Sequence, residues 1–442
     1  ELNLDNLIQQ YHKEWKWRPA FHPRMLLKVL FYWYMNQTFS SRKLSNKLLS
    51  DIGFMYVAWN NQPDFRTINR FRKERWGILE DIFIQIVLKA KDLWLVKFGA
   101  VSLDGTKIYA NASNDKNYEI EDLDKKIKKL FEEAETIDDL EDKEYGEYDG
   151  RGVPESLRTK EWRDAKRKEI EGKRKSTEQT KEFVQREIEE KKKAWINQTR
   201  INSTDKDARL VMMKRKDRWT WYNPQNLTEN QFILTTTVPN SAGDVEELVP
   251  LLKKFNRNFD TFPEIQLADT WYASEENYKF LEENKIRSYI PHQKLQLNID
   301  DYKYDEEHNT FEDKEGNIYR FKQHIGQKKW GERWRPREAL AQKDIKKTIY
   351  VTTLSNWKKR FIKVNRNWHE LCKNNDERLY SEEWRKIYKK RSWCVENVFW
   401  NIKANFWFKR FRLRWFEWVQ IERNLISLAH NLKKLIAFHA IC

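Results

Sequence analysis

Three carboxylates in this 442-residue chain stand where metal-assisted chemistry on a phosphodiester can be built. Asp104 ends the short apolar run Ala100-Val101-Ser102-Leu103, and Asp269 ends Ile265-Gln266-Leu267-Ala268, so each reads as the residue delivered at the tip of a strand. Glu396 lies in a basic, aromatic helical stretch with few other acids. Neighbouring strands bring their end residues close together, and a helix packed on the sheet can add a third oxygen. Such a set holds two hard cations about 3.5–4 Å apart, one activating the attacking oxygen and the other stabilising the leaving one. Each acid also has a plainer reading. Asp104-Gly105 suits a hairpin turn, Asp269 suits a cap for a helix starting near Ser274, and Glu396 suits an ion pair with Lys403 or Lys389.

The elements that must position these acids are legible in outline. His22-Pro23 opens an apolar run at helical spacing (Met25, Leu26, Val29, Leu30, Tyr34), Ser40 or Ser41 caps a second helix through Leu48, and Asp64 caps a third. That third segment puts Arg66, Arg70 and Lys73 on one side, a face suited either to a DNA backbone or to water. Beyond Asp104, residues 119 to 195 alternate in charge sign and read as an inserted helical hairpin with a loop near Tyr145 to Pro154. Strands are expected at Thr220 to Gln225 and Phe232 to Val238. A helix from Asp244 to Phe255 follows, then the Asp269 strand, a helix over Glu275 to Glu283, and a strand at Ser288-Tyr289-Ile290. Residues 292 to 375 read as irregular, with a hairpin pairing Tyr302–Tyr304 with Ile318–Phe321 and a Lys/Arg-rich loop near Lys328 to Arg337. From Glu382 onward the chain is helical and basic.

The formal charge of +16 is concentrated at the ends. Residues 1 to 98 hold 16 Lys and Arg against 9 Asp and Glu, and residues 384 to 442 hold 13 against 3. Basic ends around a near-neutral middle fit a polyanion, because releasing phosphate counterions drives nucleic-acid binding. The three cysteines, Cys372, Cys394 and Cys442, have neither zinc-site nor disulfide-framework spacing, which fits a reducing cytoplasm. No apolar run reaches the roughly 18 residues of a membrane span, so no membrane role is expected.

Several strings together resemble the insertion-sequence DDE transposases. They are Leu103-Asp104-Gly105-Thr106-Lys107, then Ala268-Asp269-Thr270-Trp271-Tyr272 with Ser274-Glu275-Glu276-Asn277, and Val395-Glu396-Asn397-Val398-Phe399 with Ile402-Lys403. Arg18-Pro19-Ala20-Phe21-His22-Pro23, Ser41-Arg42-Lys43-Leu44, Pro63-Asp64-Phe65-Arg66-Thr67-Ile68 and Ala429-His430-Asn431-Leu432-Lys433-Lys434 extend the likeness over nearly the whole chain. The resemblance implies an α/β fold with a ribonuclease-H-like mixed sheet, helices on both faces, and an all-helical DNA-binding domain at 1–98. The catalytic domain would span 99–442, with insertions at about 112–205 and 292–375. It further implies catalytic metal ligands Asp104, Asp269 and Glu396, two Mg²⁺ ions with Mn²⁺ as a substitute, and no nucleotide cofactor. The partners it implies are double-stranded DNA, both the element's terminal inverted repeats and the target, with a homodimer assembled on that DNA in the cytoplasm, at the nucleoid. The family's tyrosine, arginine and lysine around the glutamate match Tyr388, Arg391 and Lys403, although the Arg391–Glu396 gap is one residue longer than in the commonest signature. By transfer, Arg391 and Lys403 hold phosphates, with Lys409, Arg410 and Arg412 joining Arg66, Arg70 and Lys73 as DNA-binding cations. The alternatives are a nuclease that does not join strands and an inactive DNA-binding remnant. Relatives carry a cysteine-rich ribbon in the second insertion; with Cys372 alone there, no structural zinc is expected.

One feature of composition is anomalous: 21 Trp against 12 Gly, where Gly usually forms about 7% of residues. Trp17, Trp33, Trp221, Trp271, Trp400, Trp407 and Trp415 stand where the resembled family has Gly. That pattern fits a gene in which a stop-like codon encodes glycine; the alternative is genuine aromatics that stack on bases or fill the core.

Overall fold

The computed structural model describes residues 2–5, 7–9, 21–74, 76–146, 160–194, 196, 198–212, 218–241, 243–292, 299–326, 345–353, 359–379 and 381–439. Trp17 with the Arg18-Pro19-Ala20 string, most of the loop expected near 145–154, and the basic loop near 328–337 lie outside these residues.

Caps start the N-terminal helices where their side chains can accept from exposed backbone N–H groups. His22 Nδ1 accepts from Arg24 N ahead of α1 (Pro23–Met35), with Pro23 at the position where its missing N–H costs nothing. Ser40 caps α2 (Ser41–Ser50), and Asp51 Oδ1 caps α3 (Ile52–Val57) through Gly53 N and Phe54 N. Asp64 Oδ1 accepts from Thr67 N at 2.6 Å ahead of α4 (Phe65–Glu74). The apolar side of α5 (Trp76–Asp92) buries Ile78, Leu79, Ile82, Phe83, Ile86, Val87 and Ala90 at helical spacing.

The chain then enters a five-stranded sheet. β1 (Ala100–Gly105) lies between β7 (Gln225–Glu229), antiparallel to it, and β9 (Ile265–Leu267), parallel to it. β8 (Phe232–Thr237) extends one edge and β10 (Arg287–Tyr289) the other, giving the order β10-β9-β1-β7-β8. Between β1 and β7 come β2 (Ile108–Tyr109), β3 (Asn117–Tyr118), the charged helices α6 (Ile120–Gly146) and α7 (Lys160–Lys193), β4 (Ile201–Asn202), β5 (Arg209–Met212) and β6 (Arg218–Tyr222). α6 and α7 pack as a pair over a small core of Leu123, Val184, Ile188 and Ile201. The strand expected over Thr220–Gln225 is two strands, because Pro224 cannot donate to a ladder and breaks β6 from β7. Likewise the helix expected from Asp244 begins later, as α8 (Leu248–Phe259), since Pro250 is tolerated only in a first turn.

Among the described residues, the stretch from 292 to 375 is more regular than its sequence suggests. β11 (Lys303–Asp305), β12 (Thr310–Glu312), β13 (Ile318–Gly326), β14 (Ile345–Thr353) and β15 (Lys359–Val364) form an antiparallel sheet in chain order. The expected hairpin of 302–304 with 318–321 is therefore wrong: the short β12 stands between them and pairs with both. Phe311 on β12 supplies its core with Tyr319, Tyr350, Ile362 and Val364. A three-residue strand with one inward residue offers no period to detect.

Helix α9 (Glu275–Glu283) is capped by Ser274, and α10 (Arg366–Leu379) packs on β10. α11 (Glu382–Trp400), capped by Ser381, lies against β1, β7 and β8 and runs into a π-helical turn at Asn401–Asn405. α12 (Phe416–His439) threads the main core, touching α1, α5 and β8. One contiguous apolar cluster joins α1–α5, the sheet, α8 and α12. The Ala429–Lys434 string is a fastening here. Among the described residues β8 is an edge strand with no strand neighbour on its outer side, and the Asn431 side chain accepts from Ile233 N at 2.9 Å and donates to its C=O at 2.7 Å. His430 is held between Asn401 Nδ2 and Gln231 O, both at 2.8 Å, and burial pushes its imidazole down to about 4. Asn431→Ala strands two buried backbone groups and should cost roughly 2–3 kcal/mol in urea unfolding; a loss below about 0.5 kcal/mol, within the scatter of surface changes, contradicts this role.

Candidate active site

Asp104 and Asp269 come together through sheet register. Ser102 of β1 pairs with Leu267, the last residue of β9; β1 runs on through Asp104, and Asp269 follows two residues beyond the end of β9. Arg391 of α11 reaches between them, its Nη2 lying 3.0 Å from Asp104 Oδ2 and 3.7 Å from Asp269 Oδ2. Its side chain is only 13% exposed, so these bonds lie in a low-dielectric recess beneath the helix. Asp104 also accepts from Gly105 N at 2.8 Å, and Asp269 accepts from Trp271 N at 3.0 Å as the cap of a short 3₁₀ turn. The reading of Asp269 as the cap of the helix near Ser274 is therefore wrong: Ser274 caps that helix itself, and Asp269 caps the separate short turn before it.

Burial sets the electrostatics. It pushes the Asp104 carboxyl up to about 6, against the pull of Arg391 and the Gly105 N–H. Asp269 is raised for the same reason, with Trp271 N–H and Arg391 opposing. Asp244, in the loop before α8, adds negative charge that raises both further. Nothing in the sequence singled out Asp244. Its Oδ1 accepts from Asn223 Nδ2 and Gln225 Nε2, both at 2.7 Å, and Gln225 Oε1 accepts from the buried Tyr272 Oη. Tyr272 sits inside the Asp269 block, so this network ties β7 and the Asp269 turn to the same acid. Gly105 makes room for it: a Cβ there would overlap the Gln225 side-chain amide.

Glu396 is not brought to the pair. It is exposed on α11, and among the described residues it has neither an ion pair nor a hydrogen bond, so pairing with Lys403 or Lys389 is absent too. It lies five positions after Arg391, about 7.5 Å further along the axis and about 140° around it, toward the opposite side of the helix. The inward face carries Val395, Val398 and Ile402 instead. Among the described residues no three His, Cys, Asp or Glu side chains converge closely enough to hold a metal. Tyr388 reaches Ala268 O at 3.5 Å and so leans on the Asp269 strand.

The cations sort by exposure. Arg66 and Arg70 lie exposed on α4, while Lys73 rests over the Trp418 ring at 4.9 Å. Lys409, Arg410 and Arg412 are exposed in the turn before α12, with Lys409 4.9 Å over Trp407 and Arg410 5.6 Å over Tyr109. Lys403 is largely buried, and burial with the nearby Arg423 charge holds it below the usual lysine range. Arg423 is fully buried, donating to Thr236 Oγ1 at 3.1 Å and Asn226 Oδ1 at 2.6 Å; burial pushes it down to about 9. Asn226 is the cross-strand partner of Asp104, so this guanidinium backs the strand that carries the acid.

A carboxyl that is raised in the folded state binds its proton more tightly there than in the unfolded chain. Its contribution to stability is therefore present at low pH and lost as pH climbs from about 4 to about 6. Asp104→Asn, which cannot ionise, should match the parent at pH 4 and below and exceed it above pH 6, by up to roughly 2–3 kcal/mol in urea unfolding with chelator present. A parent more stable than the variant at pH 8 contradicts the burial cost.

A family model described as a transposase DDE domain matches residues 353–436, and one described as a transposase domain matches residues 2–74. The first takes in Arg391, Glu396 and Lys403; Asp104 and Asp269 fall between the two. No curated protein and no solved structure gives a significant match.

Proposed function

We propose that this insertion-sequence DDE transposase cuts one strand at each end of its element and joins the freed 3′-hydroxyl to target DNA, with Asp104, Asp269 and Glu396 as its metal ligands. The observation that carries the proposal is the Asp104–Arg391–Asp269 arrangement, two acids at the tips of adjacent parallel strands with one cation from a helix inside the DDE-domain match. The order of the main sheet, three antiparallel strands with two parallel strands added beside the first, supports a ribonuclease-H-like core.

Asp104 and Asp269 suit a hard divalent cation. Both are carboxylates, burial disfavours their charge, and Arg391 neutralises them only in part. Glu396 is proposed as third ligand on its sequence block alone, since its side chain lies exposed on α11 away from the pair. Bound there, Mg²⁺ or Mn²⁺ would supply Lewis-acid activation of the attacking oxygen and charge stabilisation at the leaving oxygen. The protein's own groups do the rest. Arg391 on α11 and Lys403 in the π-turn that follows it, a guanidinium and a desolvated ammonium, offer phosphate partners beside the scissile bond. Tyr272, Gln225 and Asp244 fix the backbone around both acids. Exposed Arg66 and Arg70, with the Lys409–Arg412 turn, give the sequence-independent grip on DNA, and pairing of two element ends is assigned to a homodimer. No helix among the described residues is long and apolar enough to cross a membrane.

Incubation with a duplex ending in the element's inverted repeat, target plasmid and Mg²⁺ should yield joined product that chelator abolishes. Asp104→Ala and Asp269→Ala should remove nicking and joining while leaving retarded mobility intact. Nicks without joining identify a nuclease, binding without nicks an inactive remnant, and nicking by Asp104→Ala overturns the site. In the same gel assay, Arg66→Ala and Arg70→Ala should each weaken binding across sequences and flatten its salt dependence by about one phosphate contact; an unchanged slope removes α4 from the interface.

A further inference from the structure

Two helix ends carry a residue type that their backbone disfavours. α3 closes with Trp59 N–H to Tyr56 O at 3.1 Å and Asn60 N–H to Met55 O at 2.9 Å. α5 closes with Trp94 N–H to Lys91 O and Leu95 N–H to Ala90 O, both at 2.9 Å. This pair of bonds is the Schellman closure, whose middle residue is left-handed and is most often glycine. Trp59 has φ 50 and Trp94 φ 58. A Cβ crowds the next carbonyl in that region, a conflict glycine lacks and short Asn or Asp side chains tolerate.

Trp407 (φ 55) and Trp415 (φ 67) repeat the conflict, one in the turn after Asn401–Asn405 and the other directly before α12. Among the described residues, four of the twelve non-glycine positions with positive φ are tryptophan, a residue that makes up only 21 of 442. Four more are Asn or Asp, the ordinary occupants. Burial does not compensate the tryptophans, since all four rings are at least half exposed. The chain's glycines are meanwhile elsewhere: among the described residues only Gly316 has positive φ.

We infer that positions 59, 94, 407 and 415 are glycine in the natural protein, inserted at UGA codons that its host reads as glycine and that other codes read as tryptophan or stop. The backbone makes no such demand at Trp33, Trp221, Trp271 or Trp400, which lie outside the left-handed region, so these four are not part of the inference. At position 407 the change also bears on DNA. Lys409 loses the ring it rests on, and the bare backbone lets a phosphate approach the Lys409–Arg412 turn; this consequence, unlike the assignment, rests on the function proposed above.

Peptide mass mapping of the protein from its own host reads the residues directly: glycine at 59, 94, 407 and 415 supports the assignment, and tryptophan encoded by UGG overturns it. The energetic test needs neither DNA nor activity, so it stands apart from the transposase reading. Trp59→Gly and Trp94→Gly should each raise the midpoint of thermal unfolding by roughly 2 °C. Trp393→Gly, in the interior of α11 where φ is negative, should lower it. A fall of the midpoint in both Schellman variants overturns the inference.

Discussion

The candidate site is arranged around one unfavourable fact, that two carboxylates are held close together and partly shielded from bulk water. Like charges so placed resist ionisation, and burial resists it further. Arg391 is the group that makes the pair tolerable, and it comes from a helix nearly three hundred residues later in the chain. The position of α11 on the sheet therefore determines whether the two acids can be charged at all, and the packing of Val395, Val398 and Ile402 beneath that helix is indirectly electrostatic work.

That helix is in turn held by the end of the chain. Asn401 in the π-turn bonds His430 of α12, whose other nitrogen bonds Gln231, and Asn431 bonds Ile233 of the edge strand β8. Further along the same helix, buried Glu422 accepts from Arg412 N and Leu413 N and faces the charge of Arg72, which donates to Tyr34 of α1 at 2.9 Å. A buried charge is tolerable only with such partners. The N-terminal helices, the basic turn and the sheet are thereby joined through α12, and the face carrying Arg66 and Arg70 is fixed relative to the acids.

Asp104 and Asp269 were legible because a short apolar run ending in an acid is a local signal, and the strands around them are local too. The first helices were legible through their caps. What escaped was non-local. Asp244 gains its place only when the β8–α8 loop folds back over β7, and β12 carries too few residues to show a period. Helical phase was not legible either: the phase set by Val395 and Val398 turns Arg391 toward the strands, and the role proposed for Glu396 rests on its sequence block rather than on that phase. The tryptophan excess was visible in composition, but only backbone angles separate the positions that need glycine from those that merely hold a large ring.

The most direct test of the account is Mn²⁺ binding to the DNA-free protein, followed by electron paramagnetic resonance or calorimetry, in the parent and in Asp104→Asn and Asp269→Asn. A metal site built on these acids predicts saturable binding by the parent that weakens at least tenfold in either variant, with both variants still folded. Equal binding by all three proteins would place the metal elsewhere and contradict the site.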